Sequence, residues 1–378
     1  MPAPVDTLWR YDPHTIAKHK ILGSYLKAWV PILSSFNGRI IYIDGFAGPG
    51  EDSEHSHNGS PIIALESVVN HALKQRFRSE IVMYFVEERE DRAKYLEALI
   101  KAKFPELPSF LNYKVDNSEF LPSLKEILDY LDRENRRLAP AFCFVDPFGW
   151  KDLDLDLLSR FMVENHAELF ITFMAGFIQR FEEEDGHLPS LRRLFTNSQL
   201  GEAATKEPEE KGEFLLGAFT SNLVQRIKER DGNKTIHSIS FETRNSSNNL
   251  EYYLIYLTSH EKGMKVMKDA MYSVSSNGEF RFSDFDFDPG QHTLVDYGLT
   301  ESWPSKAAAD LYQLVKNQGL IGKEVPVSLP DRLVTLETRW TYRKSFILKA
   351  LEDQGKLSYH GYRARSGIYP DTGKLIFK

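Results

Sequence analysis

The residues with the clearest chemical potential sit where short apolar runs end. Ile41-Tyr-Ile-Asp44 is followed by Gly45-Phe46-Ala47-Gly48-Pro49-Gly50, an acid leading into a Gly-x-x-Gly-x-Gly turn. Glycines there let a ligand approach the backbone closely. Pro49 removes an amide and no Gly-Lys-Ser/Thr follows, so a phosphate-cradling loop is excluded and a nucleoside without phosphates fits better. Glu87 ends a second apolar run, where a carboxylate can accept both ribose hydroxyls. Asp116 follows a third run, within reach of an adenine amino group. Each acid alone reads as a solvated strand-end carboxylate. Three in succession beside one glycine turn form a more specific pattern. A fourth run ends in Val145-Asp146-Pro147-Phe148-Gly149-Trp150.

The elements needed to position these residues alternate along the chain. Apolar residues at helical spacing predict a helix over residues 14–36. Arg39–Asp44, Ile81–Val86, Leu111–Val115, Ala141–Val145 and Leu169–Phe173 read as strands, the most apolar of them buried on both faces. Helices are expected over residues 91–103, 121–134, 155–164 and 214–229, and one after Gly59, with Ser60 as its cap and Pro61 in its first turn. Ile236–Glu242 and Tyr252–Thr258, joined by Asn245-Ser-Ser-Asn-Asn249, read as a hairpin. This order predicts an α/β fold with a mainly parallel sheet and one antiparallel strand. After Trp303-Pro304 the pattern changes to helices over residues 305–316 and 342–354. Strands Lys356–Tyr362 and Gly373–Lys378 follow, the order of a winged helix.

The expected domains are residues 1–300, with an N-terminal helix and an acidic helical insertion near 178–232, and a basic domain at 305–378. The 378 residues carry a net charge of −7, but residues 339–378 hold nine Lys/Arg against three acids. That contrast points to a basic module that meets phosphate, or one that docks on an acidic body. The single cysteine, Cys143, excludes an internal disulfide and reads as packing. No apolar run reaches the roughly 18 residues of a membrane span and no secretory signal is visible, so the expected location is cytoplasmic. Glu51, Asp52, Glu54, His55 and His57 share one loop and read as solvated rather than as a metal site. Phe280, Phe282, Phe285 and Phe287 alternate with acids and read as packing, with an edge strand, a partner surface or a base-stacking loop as alternatives.

The glycine turn with its three strand-end acids resembles the S-adenosylmethionine site of class I methyltransferases over about residues 37–275. The resemblance implies a Rossmann-like sheet with S-adenosylmethionine on Asp44, Gly45, Phe46, Ala47, Gly48, Gly50, Glu87 and Asp116. Asp146-Pro147-Phe148 resembles that family's amino-methyltransferase motif, an Asp or Asn followed by Pro-Pro-aromatic. A carboxylate and the next carbonyl accept the two hydrogens of an exocyclic amine, and an aromatic stacks on the flipped base. Here Phe148 replaces the second proline, Gly149 holds the aromatic position, and Trp150 comes one residue later.

Trp9, Lys18-His19-Lys20, Tyr42–Gly50, Gly59-Ser-Pro61, Val145–Gly149 and His260-Glu-Lys-Gly263 with Met267–Met271 together resemble the three-Cys-motif partner family, TcmP. That likeness implies a cysteine-motif protein, similar to radical-SAM proteins, as a partner. Lys18-His19 also resembles the start of a ribosomal-RNA adenine-N6 methyltransferase, where such residues approach the active site. Two functions follow as expectations. One is a methyltransferase acting on an amino group of DNA or RNA, with Lys18, His19, Trp150, Arg339, Arg343 and Lys344 meeting the substrate. The other is a non-catalytic partner subunit on the same scaffold.

Overall fold

The computed structural model describes residues 4–35, 38–176, 188–275, 280–284 and 303–378. The acidic run 182–185 and residues 285–288 of the phenylalanine-rich stretch lie outside the described residues. The chain divides into two compact units. One holds the described residues through His260 together with Arg281–Asp284; the other holds Glu261–Ser275, Phe280 and Trp303–Lys378.

In the first unit, helix α1 (Pro13–Ser34) precedes β1 (Arg39–Asp44). Then come α2 (Ser60–Val69), β2 (Glu80–Val86), α3 (Glu90–Lys103), β3 (Leu111–Asp116), α4 (Phe120–Arg133), β4 (Ala141–Val145), α5 (Leu155–Met162) and β5 (Ala167–Phe173). Strands β6 (His237–Arg244), β7 (Leu250–Thr258) and β8 (Arg281–Ser283) complete a sheet of order β3-β2-β1-β4-β5-β7-β6-β8. Strands β1 to β5 run parallel, β7 is antiparallel to both β5 and β6, and β8 is parallel to β6. Apart from the added β8, this is the Rossmann-like sheet of the methyltransferase resemblance, with one reversed strand. Strands β4 and β5 are buried at every position because helices cover both faces, which is why their sequences are continuous apolar runs.

The helical stretch between β5 and β6 is structural rather than an appendage. Helix Pro208–Arg230 buries Leu215, Phe219, Leu223 and Ile227 in the core shared with β4 and β5. Phe219 stacks on Phe173 with ring centres 4.8 Å apart. On the opposite face, α1 is joined to the sheet by buried polar groups. Tyr25 donates to Glu168 at 2.7 Å, its hydroxyl meets that of Tyr256 at 2.7 Å, and Thr258 reaches the other Glu168 oxygen at 3.1 Å. His14 meets Asp284 at 2.6 Å.

In the second unit, helix Trp303–Asn317 leads to β9 (Glu324–Pro326), helices Ser328–Glu337 and Lys344–Asp353, and strands β10 (Leu357–His360) and β11 (Lys374–Phe377). The strands form an antiparallel sheet of order β10-β11-β9 around its own core, with Leu311, Val334, Leu348 and Phe377 fully buried. Helix Glu261–Tyr272, which precedes the expected boundary near residue 300, groups with this unit. Its buried Lys268 explains why. The ammonium donates to the carbonyls of Val334 at 3.0 Å, Thr338 at 2.5 Å and Trp340 at 3.2 Å, filling the carbonyl end of helix Ser328–Glu337.

Candidate active site

The sheet order reverses between β1 and β4, and the crevice beyond the strand ends there is the expected ligand position in an open α/β sheet. A cleft of about 1090 Å³, its open mouth included, lies at this point. Gly45–Gly48 after β1, Glu87 after β2, and Asp146 and Phe148 after β4 all stand on its wall.

The turn after β1 is built from beneath by Asp44. This carboxylate is fully buried, accepts from the Phe46 amide at 3.3 Å and the Tyr42 hydroxyl at 3.1 Å, and is also bonded by Ser60. Burial pushes its pKa up to about 7 despite these donors. Asp44 therefore organises the turn rather than lining the cleft. Ser60 is the first residue of α2, and Gly59 takes the cap position expected for it. Gly48 has a φ of +61°, and its α-carbon faces the Trp9 indole. Gly50, also left-handed, lies behind the wall, where a Cβ would overlap Leu96.

Glu87 lines the cleft and binds the turn: it accepts from the Gly48 amide at 2.9 Å and the Arg89 amide at 3.0 Å. Burial raises its pKa. Each oxygen keeps a second lone pair, so hydroxyl donors in the cleft still have acceptors. Asp116 behaves differently from expectation. Its carboxylate folds back onto Tyr84 at 2.5 Å, Ser118 at 2.8 Å and Lys114 at 2.9 Å, and it is not part of the wall. Ser118, Glu119 and Phe120 form the wall in its place.

Lys18, on α1, grips Asp146 with both carboxylate oxygens, at 2.7 and 2.5 Å. Lys18 is buried and also lies 5.3 Å from the centre of the Tyr252 ring. His19 beside it is buried on the same wall, bonds the backbone of Asn58, and has an Nδ1 without a partner. Burial and then the Lys18 charge pull its pKa down to about 3, so the ring is neutral. Pro147 is buried and outside the wall, whereas Phe148 is 37% exposed and projects into it. Trp150 does not reach the cleft. It is 1% exposed in the core, with its indole N–H donating to Ser190 at 2.9 Å. A side chain at Gly149 would enter open space.

The wall also contains residues that sequence spacing did not single out, Tyr11, Thr15, Arg89, Arg92 and Asp152, and Ser60, expected only as a helix cap. Trp9, noted only within a family pattern, is there too. Their contacts cross more than eighty residues, as between Arg92 and Pro4, and no local period encodes them. The histidine- and acid-rich loop is satisfied internally. His55, Tyr95 and Lys103 surround Glu51, and Ser56 and His57 surround Asp52. Among the described residues no group of three or more His, Cys, Asp or Glu is arranged to hold a metal, and no helix is long and apolar enough to cross a membrane.

Arg339, Arg343 and Lys344 belong to the second unit. Arg343 pairs with Asp269 at 3.3 Å and covers the Tyr272 ring at 4.8 Å, Lys344 pairs with Asp371 at 2.5 Å, and Arg339 lies over Trp340.

No family model matches the chain, and no curated protein matches it. Among solved structures the chain is similar to Trm1 from Pyrococcus horikoshii in complex with S-adenosyl-L-methionine, at 13% identity over 99% of this chain and 93% of that one, with a TM-score of 0.39. It is similar to an O-methyltransferase from Bacillus cereus in complex with SAH, at 12% identity over 62% and 80%, with a TM-score of 0.30. A dimethyladenosine transferase from Plasmodium falciparum aligns at 9% identity over 92% and 98%, with a TM-score of 0.31.

Proposed function

We propose that the first unit is an S-adenosylmethionine-dependent methyltransferase acting on an amino group of a nucleic-acid base. The observation that carries this reading is the convergence of the Gly45–Gly48 turn, Glu87 and Asp146 on one cleft at the switch point of the sheet. The residues present fit the cofactor. The turn presents glycine backbone at Gly48 beneath Trp9, Gly45 packs closely against the Phe120 ring, Glu87 retains lone pairs for ribose hydroxyls, and Ser118 to Phe120 offer polar atoms and a ring for adenine. Aromatic rings at Trp9, Tyr11, Phe46 and Phe148 suit a cationic sulfonium. When bound, the cofactor supplies a methyl group activated by that sulfonium.

The chain's own residues orient the acceptor. Transfer of this kind needs proximity and alignment more than acid-base power. Lys18 fixes the plane of the Asp146 carboxylate, whose remaining lone pairs accept an amine hydrogen, whereas Pro147 stands outside the cleft wall. Phe148 offers the stacking face that the amino-methyltransferase motif places one residue later. His19, neutral and with a free acceptor nitrogen, presents no competing charge.

The second unit supports the nucleic-acid part of the reading. Its helix, strand, two helices and hairpin follow the order of a winged helix, and residues 339–378 are basic. The internal pairing of Arg343 and Lys344 shifts the expected phosphate contacts toward Arg365, Lys374 and Lys378, for which no acidic partner occurs among the described residues. A second reading, a non-catalytic partner subunit for a three-Cys-motif protein, is favoured by Lys18 occupying both Asp146 oxygens and by the missing aromatic at Gly149.

Calorimetry with S-adenosylmethionine and radiolabelled methyl transfer to total RNA and DNA separate the two. The enzyme reading expects binding, transfer, and an Asp146→Ala variant that binds within about threefold of wild type yet transfers at least a hundredfold more slowly. Binding with no transfer to either nucleic acid favours the partner subunit, and absence of binding overturns the enzyme.

A further inference from the structure

We infer that residues 4–11 form a strap that completes the cofactor site, with Trp9 as its roof. The inference rests on the cleft being the S-adenosylmethionine site. The strap is fastened to the junction of β2 and α3, the same junction that presents Glu87. Arg89 donates to the carbonyls of Pro4 at 3.1 Å and Val5 at 2.5 Å. Arg92 donates to those of Pro4 at 2.6 Å and Asp6 at 2.8 Å. Thr7 bonds Asp91 at 2.5 Å, and the Ser53 amide donates to the Trp9 carbonyl at 3.0 Å.

Arg92 shows that this fastening is built rather than incidental. It is 3% exposed, and among the described residues it pairs with no carboxylate. Its guanidinium instead lies 4.6 Å from the centre of the Trp9 ring, and its Nε has no partner. A buried cation is costly unless something compensates it, and here the compensation is the strap's own carbonyls and indole. The indole lies within 3.4 Å of where a Cβ on Gly48 would stand and 6.0 Å, edge to face, from the Phe148 ring. Trp9 therefore touches the glycine turn on one side and the acceptor wall on the other. Tyr11, the next aromatic along the strap, continues the roof and packs against His19 at 5.2 Å. One segment thus spans both halves of the cleft, and a ligand bound beneath Trp9 leaves only when the strap moves.

The test measures binding of S-adenosylhomocysteine to the full chain and its dissociation rate by stopped flow, for wild type, Trp9→Ala and Trp9→Phe. Thermal melting is checked in parallel. The expected result is a Kd at least tenfold weaker for Trp9→Ala, carried mainly by faster dissociation, with a melting temperature lowered by the lost Arg92–indole contact, and a loss of less than threefold in Kd for Trp9→Phe. Tryptophan emission should change on binding in wild type, with most of that change absent in Trp9→Phe; this readout decides the matter if Trp9→Ala is poorly folded. Wild type that binds while Trp9→Ala binds equally well, or Trp9→Phe that keeps the whole emission change, overturns the strap's role and leaves the cofactor site standing. Wild type that does not bind overturns the cofactor reading itself.

Discussion

Replacing Glu168 with Gln should flatten the dependence of stability on pH. Glu168 is 5% exposed and receives hydrogen bonds from Tyr25 and Thr258, and among the described residues no cation pairs with it. Burial pushes its pKa from 4.5 up to about 7. Because the folded value lies above the unfolded one, the carboxyl's contribution is complete below pH 4.5 and is lost as pH rises through about 7. At about 1.4 kcal/mol per tenfold change in proton affinity, the full loss is on the order of 3 kcal/mol. Glutamine keeps the shape but cannot titrate. It also mismatches one of the two donors, a cost that is the same at every pH, so the slope carries the test and not the absolute stability. Asp44, also raised to about 7, contributes to both proteins and cancels in their difference. Urea unfolding of the full chain between pH 4.5 and 8 is the assay. Wild type should lose about 3 kcal/mol relative to Glu168→Gln across that range. Curves that stay parallel would refute the reasoning and show that Glu168 is ionised throughout.

Other consequences are equally direct. Gly48→Val should abolish cofactor binding while lowering stability by roughly 1–2 kcal/mol, since a β-branched residue is strained at φ +61° and enters the Trp9 contact; calorimetry and melting read both effects. Gly149→Tyr should fold with a melting temperature within a few degrees of wild type, because an added Cβ meets nothing within 4 Å; a large loss would mean the space after Phe148 is closed. Lys268→Met should cost about 3 kcal/mol by removing the donor to the Thr338 and Trp340 carbonyls and one of two donors to the Val334 carbonyl, and denaturant unfolding that shows no such loss would remove its bracing role.

The sequence was legible where one face or both faces of an element are buried without exception. Ala141–Val145 announces itself because every side chain is enclosed, and so does the apolar end of β1. Strands β8 and β9 are three residues each and pair at sheet edges, too short for any alternation to register. Helix Ser328–Glu337 spans ten residues and carries a proline in its first turn, so its period is weak. In the site, Gly48, Glu87 and Asp146 were readable because chemistry restricts residue type just after strand ends, whereas Lys18, on α1, entered only through a family resemblance. Asp116 was readable as an acid but not as one that turns back onto Tyr84, since that depends on a neighbouring strand's side chain. Trp150 illustrates a different failure: one residue of offset from the motif places its ring in the core.

The polar attachments of α1 bear on how the chain is made. His14, Lys18 and Tyr25 are synthesised well before their partners Asp284, Asp146 and Tyr256, which lie 270, 128 and 231 positions downstream. At roughly 5–20 residues per second, α1 waits about ten seconds or more for β7 to be synthesised. During that interval α1 can pack on α2, β1 and β4 but lacks its polar attachments to Tyr256 and Asp284, and the edge of a half-built sheet stays exposed. Synthesis therefore creates a window in which nascent chains on one polysome can associate, and a chaperone that shields α1 until β7 is made would raise the yield of folded protein.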